Sequence, residues 1–396
     1  MPENTVVYLD SNDYSSLSEI NLNETQTGLR SKLLSLRNAS DLMFTFSGAH
    51  ISEMSPLDQL HASAAIRRTT LLADLCKRNA MISFDRLMKA ELENLVARKS
   101  ERVAAIDTNG QWFPELGNLI SPLDELDIAG TVRKQSEEEG LNRKSRRMLK
   151  STMINKQGGF RSNVEKLGGE VDLKDLISRV PMRPCDVRVL KKYVLGTASR
   201  DEADAAFLES LRDPSFMVQW FTAHHDRLGA IGNWVRNPAQ NLLDTMEFHL
   251  AILRRRLAAM PEEESAAALS SFNGAYWTKA QNQGVLDIVN RLILDLLPGE
   301  SECNDLALIN EYCPGISTFL RTLYSSVRNS FGKNPRAMSK SDFVDALHAM
   351  YVPYVSYFRA DRYMAPIIRP HAQRFGTQVF GGVGELLTAL ESRHLK

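Results

Sequence analysis

Short apolar runs that end at an acidic residue stand near both ends of this chain, and this arrangement constrains the fold most. Val6-Val7-Tyr8-Leu9 leads into Asp10, and the run from Tyr354 to Ala360 leads into Asp361. A third run, from Leu42 to Phe46, stops at serine and glycine. β-Branched and aromatic residues in short runs bounded by turn residues predict buried strands. We therefore expect an α/β fold with one parallel sheet built from both ends of the chain, and acids at the carboxyl ends of its strands.

Between these runs the apolar spacing is helical. From about residue 85 to 330, apolar residues recur every three or four positions, as at Val285, Val289, Leu292 and Leu296, before Pro298-Gly299. Such stripes are the core faces of packed helices. The sequence therefore predicts three parts: the N-terminal part of an α/β domain at residues 1–90, an all-helical insertion at 91–335, and the C-terminal part of the domain at 336–396.

Charge and cysteine content argue against several classes of protein. The 48 lysines and arginines equal the 48 aspartates and glutamates in number, so the chain has no bulk charge with which to coat nucleic acid. The four cysteines are widely spaced and form no CxxC pair, which argues against a zinc module and a disulfide framework. No basic, apolar leader and no apolar run of about 20 residues are present, so we expect a cytoplasmic protein without a membrane segment.

Acidic side chains provide the candidate site. The candidates are Asp10, Glu53, Asp342, Asp345 and Asp361. Asp342, Asp345 and His348 recur at three-residue spacing, which places them on one face of a helix. Carboxylate oxygens are the ligands that Mg²⁺ and Mn²⁺ prefer, and one or two such ions can activate water for attack on a phosphodiester. The sequence therefore predicts a divalent-metal site built from these acids.

Each candidate also has a structural alternative. An aspartate that follows a strand is often a turn residue or a helix cap, and we expect Asp13 to be the N-cap of the first helix. His50 is expected to tie down a helix start by a hydrogen bond. His348 is an accessory candidate, which either orients a carboxylate near the substrate phosphate or makes a hydrogen bond inside the fold.

The order of these motifs resembles that of PIN-like nuclease domains. Val7-Tyr8-Leu9-Asp10-Ser11-Asn12 resembles their opening strand, and Phe46 to Glu53 resembles the helix start that carries their second acid. Ser341-Asp342-Phe343-Val344-Asp345-Ala346-Leu347-His348, followed by Tyr354 to Asp361, resembles their acidic helix and closing strand. Some bacterial PIN-like subgroups have a similar DxxH helix before a tyrosine-rich strand. The resemblance covers residues 5–85 and 338–392.

This resemblance implies a Rossmann-like, three-layer sandwich and metal-dependent hydrolysis of RNA with Mg²⁺ or Mn²⁺. Asp10, Asp342 and Asp361 are then metal ligands, and Glu53 binds a second ion or accepts a proton from the attacking water. Either Asp342 or Asp345 matches the family's third acid. Asp342 is favoured because it lies at the helix start, for which Ser341 is the expected N-cap, and Asp345 is then a second ligand or an orienting group. The large helical insertion departs from the compact form of most PIN domains.

Basic residues give a candidate surface for nucleic acid. The densest basic stretch consists of Arg143, Lys144, Arg146, Arg147 and Lys150. Such groups bind phosphates, and a solvated helix face is the alternative. Arg254-Arg255-Arg256 forms a second stretch. Trp220 and Trp234 are expected in the core, and His224-His225 lacks the further ligands that a metal site needs.

Three functions are compatible with the sequence. The first is a PIN-like ribonuclease, in a bacterium a toxin or a defence effector. The second is a catalytically weak scaffold that binds RNA or a protein partner through the helical insertion, and the third is a DNA or flap endonuclease. The insertion is also a candidate surface for a second copy of the chain or a regulatory partner. Converging acids would favour an enzyme, whereas dispersed or salt-bridged acids would favour a scaffold.

Overall fold

The structure is a computed structural model that describes residues 5–39, 41–55, 59–99, 101–113, 133, 136–154, 161, 182–194, 197–214, 216, 251–252, 255–271, 274–330 and 339–394. The chain divides into two compact units, Met1–Pro114 with Phe221–Lys396, and Glu115–Trp220. Trp220, Trp234, His224-His225 and Arg254 lie outside the described residues.

Helices dominate both units, and a small parallel sheet lies in the first. In chain order the elements are β1 Thr5–Tyr8, α1 Ser11–Leu17, α2 Glu24–Leu36, β2 Leu42–Thr45, α3 Gly48–Met54, α4 Ala62–Cys76, β3 Ala80–Met81, α5 Phe84–Ala97, β4 Ile106–Asp107, α6 Arg143–Met153, α7 Pro184–Val194, α8 Arg200–Leu211, α9 Glu262–Ser271, α10 Ala275–Leu296, α11 Leu306–Tyr312, α12 Pro314–Asn329, α13 Lys340–Ala349, β5 Tyr357–Arg359, α14 Met364–Ala372, β6 Gln378–Phe380 and α15 Val383–His394. Within the described residues, no helix combines the length and the apolar character that a bilayer crossing requires.

The sheet joins the two ends of the chain as the sequence predicted. Its four parallel strands lie in the order β2-β1-β5-β6. Val7 in β1 pairs with Phe44 in β2 on one side and with Tyr357 in β5 on the other. A parallel bridge between Phe46 and Ala80 places β3 beside the end of β2. The predicted parallel sheet from both ends is confirmed, and the mostly helical chain around it is compatible with the expected α/β fold.

The strand β1 reads as a continuous apolar run because the fold buries it. Val7 and Tyr8 are 0% exposed, and the Tyr8 ring stacks on Phe358 of β5 with ring centroids 5.2 Å apart. Central strands of parallel sheets are covered on both faces and therefore lack the polar alternation of half-exposed strands. The chain leaves this buried strand at Leu9 and Asp10, which puts a carboxylate at the edge of the core.

Helices α10 to α12 belong to the unit that contains the sheet. Leu92 and Leu95 of α5 pack with Val285 and Val289 of α10 and with Ile316 of α12 in one apolar cluster. The second unit is shorter than the insertion predicted at 91–335, because helical spacing cannot separate the helices of an inserted unit from those that pack beside the sheet. The boundaries at 90 and 335 therefore differ from the division in the structure.

Two helix and strand boundaries differ from those expected. The N-cap of α13 is Ser339, not Ser341, because Ser339 forms a capping box with Asp342. The strand β5 begins only at Tyr357, since Val352–Tyr354 forms a 3-10 turn at Pro353. The end of α10 at Leu296, before Pro298, agrees with the expected helix stop.

A buried glutamate holds the start of α12. Glu91 is 0% exposed and accepts hydrogen bonds from Tyr354 Oη at 2.5 Å, Gly315 N at 2.6 Å and Ile316 N at 2.9 Å. These two amides are at a helix N-terminus, where a carboxylate satisfies donors that have no partner within the helix. Burial raises the pKa of Glu91 to about 7, against the lowering effect of the three hydrogen bonds.

The raised pKa of Glu91 makes a pH dependence of stability predictable. The folded protein holds this proton between the ordinary pKa of 4.5 and about 7, whereas the unfolded chain releases it. The stabilising contribution is therefore complete below about pH 4.5 and is lost as the pH rises through 7, by about 3 kcal/mol. We expect the melting-temperature difference between wild type and Glu91→Gln to fall over this range. A difference that is constant with pH would contradict the assignment.

Gly315 is required by the same contact. A Cβ at Gly315 would lie 2.6 Å from Glu91 Oε1 and 2.8 Å from the carbonyl oxygen of Met350. We expect Gly315→Ala to lower the free energy of unfolding by about 2 kcal/mol, because one neighbour is backbone and the other is fixed by hydrogen bonds. Gly28→Ala in α2 is the control, since a Cβ there meets nothing within 4 Å. That variant should gain up to about 1 kcal/mol, and chemical denaturation of both variants measures the contrast.

Candidate functional site

The carboxyl ends of the parallel strands carry a group of acidic side chains, here called the acidic cluster. Its members are Asp10, Asp13, Glu53, Asp342, Asp345 and Asp361. They come from the segments that follow β1, β2 and β5 and from α13. Burial, and then repulsion by the four other predicted acids, raises the pKa of Asp345 to about 9. The other four acids predicted from the sequence therefore all lie within electrostatic reach of Asp345.

Asp10 joins the cluster as a helix cap. It is the N-cap of α1, and its Oδ1 accepts a hydrogen bond from Asn12 N at 2.7 Å. Asp13 closes the capping box, since its Oδ2 accepts from Asp10 N at 3.1 Å. The expectation that Asp13 is the N-cap was wrong, because the helix begins directly after Asp10. Asp13 is nevertheless buried at the site, with 2% exposure.

Arg359, the last residue of β5, is the counter-ion on this side of the cluster. Its Nη2 lies 2.7 Å from Asp13 Oδ1, and its Nη1 lies 3.5 Å from Asp10 Oδ2. Burial raises the pKa of Asp13 to about 7 and also raises that of Asp10, and in both cases Arg359 opposes the rise. Two of the cluster's carboxylates are thus salt-bridged within the protein.

Glu53 lies at the end of a buried chain of hydrogen bonds. Its Oε2 accepts from Ser11 Oγ and lies 2.8 Å from His348 Nε2. His348 Nδ1 is 2.5 Å from Tyr8 Oη, which is itself 2.7 Å from Ser47 Oγ. A neutral His348 that accepts from Tyr8 at Nδ1 must donate from Nε2 to Glu53. Burial raises the pKa of Glu53, but His348 and the Ser11 hydrogen bond outweigh it and leave the pKa lowered.

His50 has the structural role expected of it. It is fully buried, its Nδ1 accepts from Ser47 N at 3.0 Å, and its Nε2 donates to the Leu9 carbonyl at 2.9 Å. Burial, and then the neighbouring His348, lowers the pKa of His50 to about 3, so the ring stays neutral. His50 therefore ties the start of α3 to the end of β1.

The two aspartates of α13 differ in their surroundings. Asp342 is 1% exposed, and its Oδ2 accepts from Ser339 N at 2.9 Å in the capping box. Asp345 is half-buried and forms no hydrogen bond or ion pair with any described residue. Of the acids that raise its pKa, Glu53 and Asp10 contribute most. Among the described residues, the Asp345 carboxyl therefore has no hydrogen-bond donor, whereas Asp342 has one in Ser339 N.

Asp361 accepts hydrogen bonds from the first turn of α14, whose N-cap is Tyr363. Its Oδ1 accepts from Met364 N at 2.5 Å, and its carbonyl oxygen accepts from Ala365 N at 2.9 Å. The side chain is half-buried. The predicted strand-end acid thus holds the start of α14 and also acts electrostatically on Asp345.

The cluster has the donor chemistry of a hard-cation site, but its ligands are not gathered as a finished site. Among the described residues, no three His, Cys, Asp or Glu side chains lie close enough together to hold a metal ion. Arg359 holds Asp10, and His348 holds Glu53. Asp345 and Asp361 form no ion pair within the described part of the chain. Carboxylate oxygens suit Mg²⁺ or Mn²⁺ better than softer metals.

Comparisons of this chain with family models, curated proteins and solved structures found no match. The resemblance to PIN-like nuclease domains therefore stays an expectation drawn from the sequence. The sheet topology and the surroundings of the acids are what remain to support a function.

In the second unit, α6 carries the predicted basic stretch on an exposed helix with no buried residue. Its basic residues line a cavity of about 310 Å³ with three neighbours; the lining is Arg133, Ser136, Glu137, Arg143, Arg146, Arg147 and Lys150. Glu137 pairs with Arg146 at 2.6 Å. Five cations then face a single carboxylate, which suits an anionic ligand. Lys144 lies on the same exposed helix and does not line the cavity.

Arg359, Tyr8 and Ser11 are the site residues that the sequence did not single out. Arg359 could have been found from its position, because it ends an apolar strand two residues before Asp361. Ser11 follows Asp10 directly, and Tyr8 ends β1. Their partners Glu53 and His348 come from distant parts of the chain, and no local pattern predicts those contacts.

Proposed function

We propose that this protein is a metal-dependent nuclease that hydrolyses phosphodiester bonds, with RNA as the expected polymer. The observation that supports this most is Asp345, a half-buried carboxylate without a donor, surrounded by four other acids. Like charges are held together at a cost unless a cation lies between them. Strained groups of this kind concentrate at functional sites.

The sheet supports a PIN-type, Rossmann-like sandwich as part of the proposal. All four strands are parallel, β1 is inside the sheet, and the acids follow the carboxyl ends of β1 and β5. In open parallel sheets, ligands bind outside the carboxyl ends where the chain changes direction across the sheet. Here β2 lies on one side of β1 and β5 lies on the other, so the chain changes direction across the sheet at β1. Asp10 follows the carboxyl end of that strand.

Asp10, Asp345 and Asp361 are the proposed metal ligands, with Glu53 beside them. A bound Mg²⁺ or Mn²⁺ supplies an activated water and neutralises charge on the phosphodiester. Tyr8 and His348 orient Glu53, which accepts the proton of the attacking water. Asp342 shapes the start of α13 and acts on the site through Asp345.

A catalytically weak scaffold is the second candidate, and one observation favours it. The guanidinium of Arg359 already compensates Asp13 and Asp10, and His348 already engages Glu53. A protein of this kind would bind RNA or a protein partner without cutting. The cavity beside α6 would then be the contact that carries the function.

Cleavage assays separate these candidates. Wild type and Asp10→Asn are incubated with single-stranded RNA, single-stranded DNA and a DNA flap, in Mn²⁺, Mg²⁺ or EDTA. Asparagine is as good an N-cap as aspartate, so the variant should keep its fold, which circular dichroism checks. We expect RNA cutting that needs the metal and is lost in the variant.

Other results would redirect the proposal. Cutting of DNA alone would replace RNA as the substrate. Cutting by Asp10→Asn at the wild-type rate would remove Asp10 from the site. If the wild type cuts nothing and is not stabilised by Mn²⁺, the catalytically weak scaffold becomes the supported function.

A further inference from the structure

Three arginines near the C-terminal end of the chain form a cationic group in which no member pairs with a carboxylate of the described residues. Arg321 and Arg328 lie on α12, and Arg374 follows α14. Arg321 is half-buried and Arg328 is exposed, whereas Arg374 is exposed as a residue but has a partly desolvated guanidinium. Within the described part of the chain, none of them forms an ion pair with a carboxylate, in contrast to Arg359 at the acidic cluster.

Neutral oxygens hold two of these arginines in place. Ser317 Oγ is fully buried and accepts from Arg321 Nε and from Arg374 Nη2, each at 3.3 Å. Arg321 also donates to Asn282 Oδ1 at 3.0 Å and to Asn310 Oδ1 at 3.4 Å. Ser317 in turn donates to Asn310 Oδ1 at 2.7 Å. These contacts fix both guanidinium groups around one hydroxyl without pairing either with a carboxylate, and Glu91 offsets the charge of Arg374 only through space.

The resulting repulsion shows in neighbouring groups. Burial, and then Arg321, lowers the pKa of Arg374 to about 10. Burial, and then Arg321 and Arg374, lowers the pKa of His371 to about 4, so this imidazole is neutral and contacts Ser325 Oγ at 3.1 Å. Arg374 also lies over the Phe375 ring, 4.5 Å from its centroid. Fixed cations with spare N–H donors are what an oxyanion requires, since guanidinium forks match phosphate oxygens.

We propose that Arg321 and Arg374 bind a backbone phosphate of a nucleic-acid strand and that Arg328 binds a neighbouring phosphate. Arg321 and Arg328 are seven residues apart on one helix, which corresponds to about 10 Å along its axis. A single phosphate is too small to contact both, whereas successive phosphates of one strand can. The inference rests on the proposed function. It adds a contact with the polymer that is made by residues outside the acidic cluster.

Binding without cleavage tests this contact. A fluorescent single-stranded RNA is titrated with full-length protein in EDTA over a range of salt concentrations. The variants are Arg321→Gln/Arg374→Gln and a control, Arg37→Gln/Arg291→Gln, which removes the same charge from a half-buried and an exposed arginine that face carboxylates. We expect the first double variant to lose about tenfold or more in affinity and to reduce the salt slope by about 0.7, the value for the loss of one phosphate contact on a single strand. The control should stay near wild type.

Several outcomes would overturn the proposal. If the Arg321→Gln/Arg374→Gln variant binds with the affinity and salt slope of wild type, the proposed phosphate contact does not exist, even if the protein proves to be a nuclease. Loss of affinity with a lower melting temperature and an unchanged salt slope indicates a structural role for the pair. A wild type that binds inorganic phosphate or a mononucleotide but no RNA reassigns the site to a small ligand. RNA binding through these arginines by a protein that never cuts would retain the inference and reject the nuclease.

Discussion

Replacing Asp345 with asparagine is expected to reduce metal-dependent cleavage by about 100-fold or more, which corresponds to about 3 kcal/mol of transition-state stabilisation. The same change should raise the melting temperature of the metal-free protein near pH 7, because a pKa of about 9 requires Asp345 to take up a proton on folding, and asparagine removes that cost. Wild type should gain stability from Mn²⁺, and the variant should gain less. Thermal melts in EDTA and in Mn²⁺, beside single-turnover cleavage of RNA, measure both effects.

Asp342→Asn is the matched control, since it changes the same helix three residues earlier. Its side chain can still accept from Ser339 N, so the cap should persist at a cost within about 1 kcal/mol. Cleavage should stay within about threefold of wild type. An inactive Asp342→Asn together with an active Asp345→Asn would reverse the two roles and restore Asp342 as the third acid.

Replacing Arg359 with methionine is expected to destabilise the protein by about 3–5 kcal/mol. Asp13 is 2% exposed and Arg359 Nη2 lies 2.7 Å from it, so the change would leave a buried carboxylate beside Asp10 without a counter-ion. Methionine keeps much of the side-chain volume, so the loss reports charge more than packing. Chemical denaturation near pH 7 measures the effect.

A second substitution separates charge from packing at this position. Arg359→Met/Asp13→Asn should recover a large part of the lost stability, because the uncompensated carboxylate is gone. Arg291→Met, which breaks an exposed pair with Asp295, should change stability by only about 0.5 kcal/mol. If the double variant were as unstable as Arg359→Met, packing of the arginine would explain the loss.

The strand ends were predictable because local sequence encodes them. Val7, Tyr8 and Leu9 are apolar without alternation, and the acid and helix cap that follow mark where the strand leaves the core. Arg359 could not be placed beside Asp13 in the same way, because the pairing depends on the register of β5 against β1. A strand of three residues carries too little pattern to fix that register.

The choice between Asp342 and Asp345 depended on where one helix begins. With Ser341 as the cap, Asp342 would be the first helical residue and free to point toward the strand ends. The cap is Ser339, so Asp342 is the third residue and closes the capping box. A shift of two residues exchanges the two roles, and helical spacing alone cannot resolve it because both acids share one face.

The pairing of β1 with β5 also has a consequence for how this protein is made. Val6 N donates to Ser356 Oγ across 350 residues of chain, and Val7 pairs with Tyr357 in the same register. Asp10 leaves the ribosome before Asp345, Arg359 and Asp361, because the whole intervening chain is translated between them. The acids cannot meet in a nascent chain that ends before β5. Any activity that depends on their meeting must therefore be absent from such chains and can begin only after β5 has been made.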